Sequence, residues 1–299
     1  MLEHKFDTER APSRVIVLGA GGFVGGAVVT RLEADGTPVL RLGRATVDLL
    51  SDGAADALAR RLAPEDALVV VSAAAPCKTT AMLADNVRMM NAVCQALVRS
   101  PVAHVVYISS DAVYADSPDP LTESSPVQPD NLHGMMHAAR ELMLRSVVKD
   151  APLAILRPSL LYGADDPHNG YGPNQFRRRA AAGEAILLFG EGEERRDHVL
   201  IDDVAEIVRL VLRYRSRGAL NVATGEVASF RDIAETVAGQ FASSVTIGNR
   251  PRNGPMPHNG YRPFDIAACR AAFPAFRYTD LTKGIAKTHS AALEAADAR

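Results

Sequence analysis

The sequence predicts an α/β fold, a doubly wound parallel sheet with a smaller interleaved C-terminal lobe, and three observations carry that expectation. Short β-branched runs alternate with Ala- and Leu-rich stretches of helical length through the first half of the chain. The runs VIVL and LVVV have no polar face, as strands buried on both sides require. A glycine-rich turn, LGAGGFVGG, stands directly between the first such strand and the first helix.

The elements follow in order. RVIVL from Arg14 is the first strand, VLRL after Pro38 the second, ALVVVS from Ala67 the third, HVVYIS from His104 the fourth and APLAILRP from Ala151 the fifth. Residues 1–13 have no apolar signal core and are expected to form a flexible lead-in. Residues 14–162 are expected to be a dinucleotide-binding domain. Residues 163–299 are expected to form mainly a substrate-binding lobe that interleaves with it. Two Gly-, Pro- and Asn-rich segments there, GADDPHNGYGPNQF after Tyr162 and the stretch from Arg250 to Pro263, read as loops that cover a site. Between them a helix is expected from about Asp202 to Arg213, a strand near Ala219 to Val222 and a helix near Phe230 to Phe241.

Composition narrows the function. A chain of 299 residues, 47% hydrophobic and 23% charged, has ample material for a core. Its formal net charge of -2 gives no global pull toward nucleic acid or membrane, so any anionic ligand must be held locally. Cys77, Cys94 and Cys269 make no C-x-x-C pair, which argues against a disulfide framework or zinc cluster and for a cytoplasmic setting. No window approaches the roughly 20 apolar residues of a membrane span.

Gly19, Gly22 and Gly25 occupy the place where a strand turns into a helix. The first permits the tight turn, a later one lets backbone approach a pyrophosphate, and the helix N-terminus offers free N–H groups. The expected cofactor is therefore NAD or NADP. An acid at the end of the second strand would favour NAD. Here stand Arg41 and Arg44, which favour NADP slightly, although surface arginines capping a strand look the same. Asp48 and Leu49 are placed to meet the adenine edge, with a helix N-cap as the plain alternative for Asp48.

Taken together, these residues resemble the extended short-chain dehydrogenase/reductase family of nucleotide-sugar epimerases, dehydratases and reductases, a Rossmann-type fold. The likeness runs from Arg14 to about Ala286. LGAGGFVGG resembles its G-x-x-G-x-x-G loop, SAAAP (Ser72 to Pro76) its N-x-A-A turn, and YISSDAVYAD its S-S-x-x-V-Y-G segment. LRPSLLYG resembles its R-P-x-x-x-Y-G loop, and LLFGEGEERRDHVLIDDVA its G-x-G-x-x-x-R-D-F-V-x-V-D-D-V stretch. The resemblance implies cofactor contacts at Gly19, Gly22, Phe23, Val24, Gly25, Ala73 and Ala74. It implies a catalytic serine at Ser110 and a nucleotide-sugar grip at Asn174, Arg196, Arg262 and Asp265. It also implies a homodimer through the helices near Leu83 to Arg99 and through MMHAARELML, whose Met135, Met136, Leu142 and Met143 are expected on one side. Asp111 is followed by Ala112 rather than Glu, which disfavours dehydration, and no cysteine follows the serines, which disfavours double epimerisation.

The central departure lies in LHGMMHAARE. Where the family carries Tyr-x-x-x-Lys, this chain has His133 and His137. Tyrosine starts near pKa ~10 and needs a neighbouring cation, whereas histidine starts near ~6.5 and can act at neutral pH unaided. An imidazole is shorter than a phenol, and one N–H replaces three lysine donors. His133, with Asp111, would move the sugar proton, and His137 would hold the nicotinamide ribose. Three other readings stay open: a His-x-x-x-His metal site, for which no third ligand is at hand, two satisfied polar residues at a helix start, or a site that has lost its chemistry. The expected function is a 4-epimerase acting on a nucleotide sugar, with an NADPH-dependent keto-sugar reductase and a non-catalytic dinucleotide sensor as alternatives, and no metal.

Overall fold

The computed structural model describes residues 2–297. Along the first half run β1 (Val15–Leu18), α1 (Phe23–Ala34), β2 (Val39–Leu42), α2 (Ala54–Ala59), β3 (Ala67–Val70), α3 (Thr80–Arg99), β4 (His104–Ile108), α4 (Leu132–Val147) and β5 (Leu153–Pro158). The second half carries β6 (Leu160–Tyr162), α5 (Pro173–Ala181), β7 (Ile186–Phe189), β8 (Arg195–Arg196), β9 (His198–Leu200) and α6 (Ile201–Arg213). It continues through β10 (Gly218–Val222), β11 (Ala228–Ser229), α7 (Phe230–Ala238), β12 (Ile247–Arg250), β13 (Tyr261–Arg262), α8 (Ala267–Ala272) and α9 (Leu281–Asp297).

Six parallel strands form the central sheet in the order β10-β5-β4-β3-β1-β2. Val15, Ile16 and Val17 are wholly buried because one helical layer covers each face. Val15 and Val17 share a cluster with Val28, Leu32 and the apolar side of α6. Ile16 and Leu18 share another with Leu58, Val93 and Leu97. The chain crosses from one side of β1 to the other between β2 and β3, so the carboxyl ends of β1 and β3 flank a switch point, the usual ligand crevice of open α/β sheets. Smaller pairings, β12 with β7, β6 with β9, and β8 between β11 and β13, build the lobe over that end.

The edge strand β10 comes from beyond residue 162, and α6 packs on α1, so the two halves of the chain share one sheet and one core. The lead-in is joined to the rest of the chain by hydrogen bonds from Glu3, Lys5, Phe6 and Arg10. Glu3 and Arg217 exchange backbone hydrogen bonds of 2.8 Å in each direction. His4 lies 2.8 Å from Ser216 Oγ and 2.9 Å from the Ala272 carbonyl, with its ring stacked on Tyr214. Polar residues in a terminal segment can pair with the chain that leads into a sheet edge, and hydropathy alone does not reveal that. Met1, the first residue of that lead-in, lies outside the described residues, as do the last two of the C-terminal lobe. The helix expected to reach Phe241 ends at Ala238, after a Ser229–Asp232 capping box sets its start.

Buried neutral histidines make stability sensitive to acid. Burial pushes His104 down to about 4 and His198 down to about 3. Below an unfolded value near 6.5 the unfolded chain binds the protons that these sites refuse, so stability is complete above about pH 6.5 and drains away as pH falls. For His104 the loss is on the order of 3 kcal/mol by pH 4. The urea midpoint is expected to drop between pH 7 and pH 5; a midpoint flat across that interval would contradict this account.

Candidate active site

The glycine loop and the SAAAP turn press together at the switch point. Gly19 has φ +101°, and a Cβ there would sit 2.7 Å from the Ser72 nitrogen; one on Gly25 would sit 2.1 Å from the Gly19 carbonyl oxygen. Side chains at these two positions would force the loop off the sheet. Gly22 caps α1 with no side-chain hydrogen bond, there is no acid in the first turn, and Gly21 has open space around it. This bare helix N-terminus fits the pyrophosphate of a dinucleotide. Phe23 and Val24 open the helix half-buried, with the Phe23 ring against Gly163.

Beyond the second strand, Arg41 donates to both Glu33 oxygens, at 3.0 and 2.5 Å, and exposed Arg44 lies 3.3 Å from Asp48. Such exposed pairs are weak, so either guanidinium can be redirected to a phosphate. Asp48 accepts from the Leu50 N–H at 3.0 Å, which holds its carboxyl below the usual value, and Leu49 is buried. Asp48 therefore caps a tight turn rather than a helix. Ala74 is tied on both its N–H and its carbonyl to the amide of Asn86, each at 3.0 Å, and Ala73 precedes it. Arg140 donates to the Ser72 carbonyl at 2.6 Å. Asn86 and Arg140 thus fix the turn on the far side of the crevice. Neither was singled out from the sequence, although a charged Arg140 within the helical run after His137 could have marked a buried partner.

Helix α4 is capped by Asn131, whose side chain accepts from the Gly134 N–H at 3.0 Å. A Cβ on Gly134 would lie 2.0 Å from the Ala112 carbonyl oxygen. Only glycine lets the first turn of α4 sit this close to the Asp111–Val113 turn, and this contact brings His133 to the Ser110 segment. Ser110 Oγ accepts from the Ala112 N–H at 3.1 Å and donates to Asp111 at 3.3 Å. His133 Nδ1 accepts from the Cys77 N–H at 3.4 Å. Burial lowers the His133 pKa below the imidazole norm, with the Asp111 carboxylate opposing and His168 adding to the shift. His137 lies deeper, its ring meeting that of His133 edge-on at 4.8 Å, and burial followed by repulsion from His133 and Arg140 lowers it well below the norm.

The helix is not apolar on one side only. Met136 and Leu144 point into the core, while Met135 and Leu142 are 46% and 68% exposed. Adjacent apolar residues in a helix fall about 100° apart, so a dense run populates two faces.

Opposite α4, the lobe supplies cations. Arg262 is buried, with Nε 3.0 Å from Asp111 Oδ2, Nη2 2.7 Å from the Asp111 carbonyl and Nη1 2.9 Å from Asp116. It clamps Asp111 instead of standing free for phosphate, and His258 Nδ1 lies against both Asp116 and Arg262. Asp265 accepts from the Ala267 N–H at 2.7 Å, at the start of α8. Asn174 accepts from the Gly163 N–H at 3.1 Å and donates to Asp166 at 2.8 Å, so its amide ties the loop after β6 together. Arg196 is nearly buried and pairs with Glu194 at 3.4 Å. Glu194 also holds Arg252 at 3.1 Å, whose Nε and Nη2 are buried without a partner among the described residues. An anionic ligand would satisfy such orphaned donors. Arg252 and His258 lie in a loop without periodicity, and nothing in the sequence separates them from surface charge. Among the described residues, no group of three or more His, Cys, Asp or Glu side chains is arranged to hold a metal ion, and no helix is long and apolar enough to cross a membrane.

The sequence model of the NAD dependent epimerase/dehydratase family matches residues 15–223. A UDP-glucose 4-epimerase of Mycolicibacterium smegmatis is 30% identical, over 92% of this chain and 97% of that protein. The fold matches a GDP-L-fucose synthetase from Naegleria fowleri bound to NADP, with a TM-score of 0.84 at 18% identity over 98% of this chain and 97% of that one. It also matches MoeE5 in complex with UDP-glucose and NAD, with a TM-score of 0.78 at 19% identity over 95% and 99% of the two chains.

Proposed function

We propose, from the premise that this chain belongs to the NAD dependent epimerase/dehydratase family, that it is a nicotinamide-dependent hydride-transfer enzyme acting on a nucleotide-activated sugar, in the first place as a 4-epimerase. The observation that supports this reading is the close approach of the first turn of α4, which carries His133, to the Asp111–Val113 turn that follows Ser110, made through Gly134, with His137 one helical turn further on. The near full-length likeness to a UDP-glucose 4-epimerase supports the same choice.

A bound nicotinamide supplies the hydride acceptor and donor. The Gly19–Gly25 backbone and the N-terminus of α1 would hold its pyrophosphate, with Phe23 and Val24 alongside. Asp48 and Leu49 would meet the adenine, Ala73, Ala74 and His137 the nicotinamide side, and Arg41 and Arg44 a 2′-phosphate if NADP is used. Ser110 would donate to the sugar oxygen. Arg196, joined by Arg252, would grip the diphosphate, while Arg262 holds Asp111 in place next to Ser110. Residues 14–162 thus serve the dinucleotide and the remainder mainly the sugar nucleotide. A homodimer through α3 and α4 would cover outward-facing Val98, Met135 and Leu142. Three free, buried cysteines suit a cytoplasmic setting.

One contact favours keto-sugar reduction as a second reading. With Nδ1 accepting from the Cys77 N–H, neutral His133 carries its proton on Nε2 and is a donor to a carbonyl or alkoxide oxygen. Taking a proton from a hydroxyl at Nε2 requires that contact to open. Mass-spectrometric product analysis of UDP-, dTDP- and GDP-sugars, 4-keto forms included, with NAD or NADPH, separates the readings. Interconversion of C4 epimers without net cofactor consumption is expected. Consumption of a keto-sugar with NADPH alone would establish the reductase, and dinucleotide binding without turnover would establish a sensor or scaffold.

A further inference from the structure

His133 and His137 share a helix but not an environment. His137 is almost wholly buried, and its Nδ1 lies 2.7 Å from the hydroxyl of Tyr107 on β4. Tyr107 is completely buried, with the Arg140 guanidinium over its ring at 5.3 Å. Among the described residues the phenol hydroxyl has no other hydrogen-bond partner. Burial pushes this phenol up to about 12 and holds the His137 imidazole well below its usual value, so both partners are neutral.

A neutral imidazole carries one proton, on one of two nitrogens. Placed on Nδ1, it would be donated to the phenol oxygen, and the phenol's own hydrogen would be left buried with no acceptor. Placed on Nε2, it leaves Nδ1 free to accept from the phenol, so the phenol keeps its one hydrogen bond and the Nε2–H is the donor left over for a ligand. An unmade buried hydrogen bond is costlier than a made one is favourable, so the second arrangement holds.

We infer that Tyr107 is a positioning residue: its phenol fixes His137 as the Nε2–H tautomer, so that a neutral ring presents one N–H donor at the helix position where the family resemblance places a lysine. The inference rests on the reading of His137 as a cofactor-side residue. It replaces an ammonium, which needs no orientation, by an imidazole whose single donor is set from the core of the sheet.

The test uses the full chain labelled with 15N-histidine, without added cofactor, and reads the tautomer from two-bond 1H–15N correlations. The His137 signals are assigned by their loss in His137→Gln. Wild type is expected to show protonated Nε2 and bare Nδ1. Tyr107→Phe, which removes one oxygen, is expected to mix the tautomers and to weaken NAD and NADP binding about five- to tenfold, the worth of one oriented hydrogen bond. Protonated Nδ1 in wild type overturns the inference, and needs no variant to fold. So does a tautomer unmoved by Tyr107→Phe, or one that moves with dinucleotide affinity unchanged. Sugar turnover is scored separately: its absence in wild type would defeat the epimerase and reductase readings and leave the tautomer and affinity results standing.

Discussion

Glu141→Ala is expected to cost about 3–5 kcal/mol of stability and to lower the melting temperature by roughly 5–10 °C. Glu141 is 3% exposed on the inner face of α4. Its Oε1 accepts from Ser109 Oγ at 2.7 Å and from Arg157 Nε at 2.9 Å, and its Oε2 accepts from Arg157 Nη2 at 2.6 Å. Arg157 is equally buried and also donates to the Tyr114 hydroxyl at 2.8 Å. Removing the carboxylate leaves that guanidinium charged and buried, with one neutral acceptor. The large cost lies in the broken pair rather than in the intact one, because desolvating two charges offsets most of their attraction. Glu141→Leu with Arg157→Met is therefore expected to recover most of the loss in a thermal melt. A double variant as unstable as Glu141→Ala would show that the ion pair is needed to seat α4 on β5, and would refute the offset argument.

This network marks the boundary of what the sequence discloses. Strands such as VIVL announce themselves because burial on both faces demands apolar residues at every position, and α6 does so because its aspartates and apolar stripe fit a helix entering from solvent. The glycine loop is legible for the same reason: few residue types suit a strand-to-helix turn pressed against a neighbouring strand. The Arg262–Asp111 clamp joins residues 151 positions apart, and Glu194 gathers Arg196 with the distant Arg252. Local periodicity carries no record of such pairings. Arg262 and Asn174 could be picked out as functional by resemblance, yet the structure gives their polar atoms to partners within the chain. The hydrogen-bond partner of His137 is likewise distant in the chain: Tyr107, on a strand whose pattern reports only that it is apolar.

His133→Phe is expected to lower kcat by about 10²–10⁴-fold, the usual worth of one acid–base group, with dinucleotide affinity nearly unchanged because His133 is assigned to the sugar proton and not to the cofactor. The pH profile identifies the group. Burial lowers the His133 pKa below that of a free imidazole, so the ring stays neutral through pH 7 and protonates only as pH falls through that lowered value. Wild-type activity should accordingly hold a plateau from neutral to mildly alkaline pH and fall on the acid side, at a pH below the ordinary histidine midpoint of about 6.5. A phenol at this position would behave oppositely, gaining activity toward alkaline pH as its proton is lost. His133→Tyr therefore restores the family's residue and is expected to recover part of the turnover with the profile displaced upward. Turnover in His133→Phe equal to wild type would remove His133 from the chemistry and turn attention to Ser110 and Asp111 as the groups that move the proton. A loss in His133→Phe without any change in the acid limb of the surviving activity would mean that the imidazole shapes the pocket and that another group sets the pH dependence.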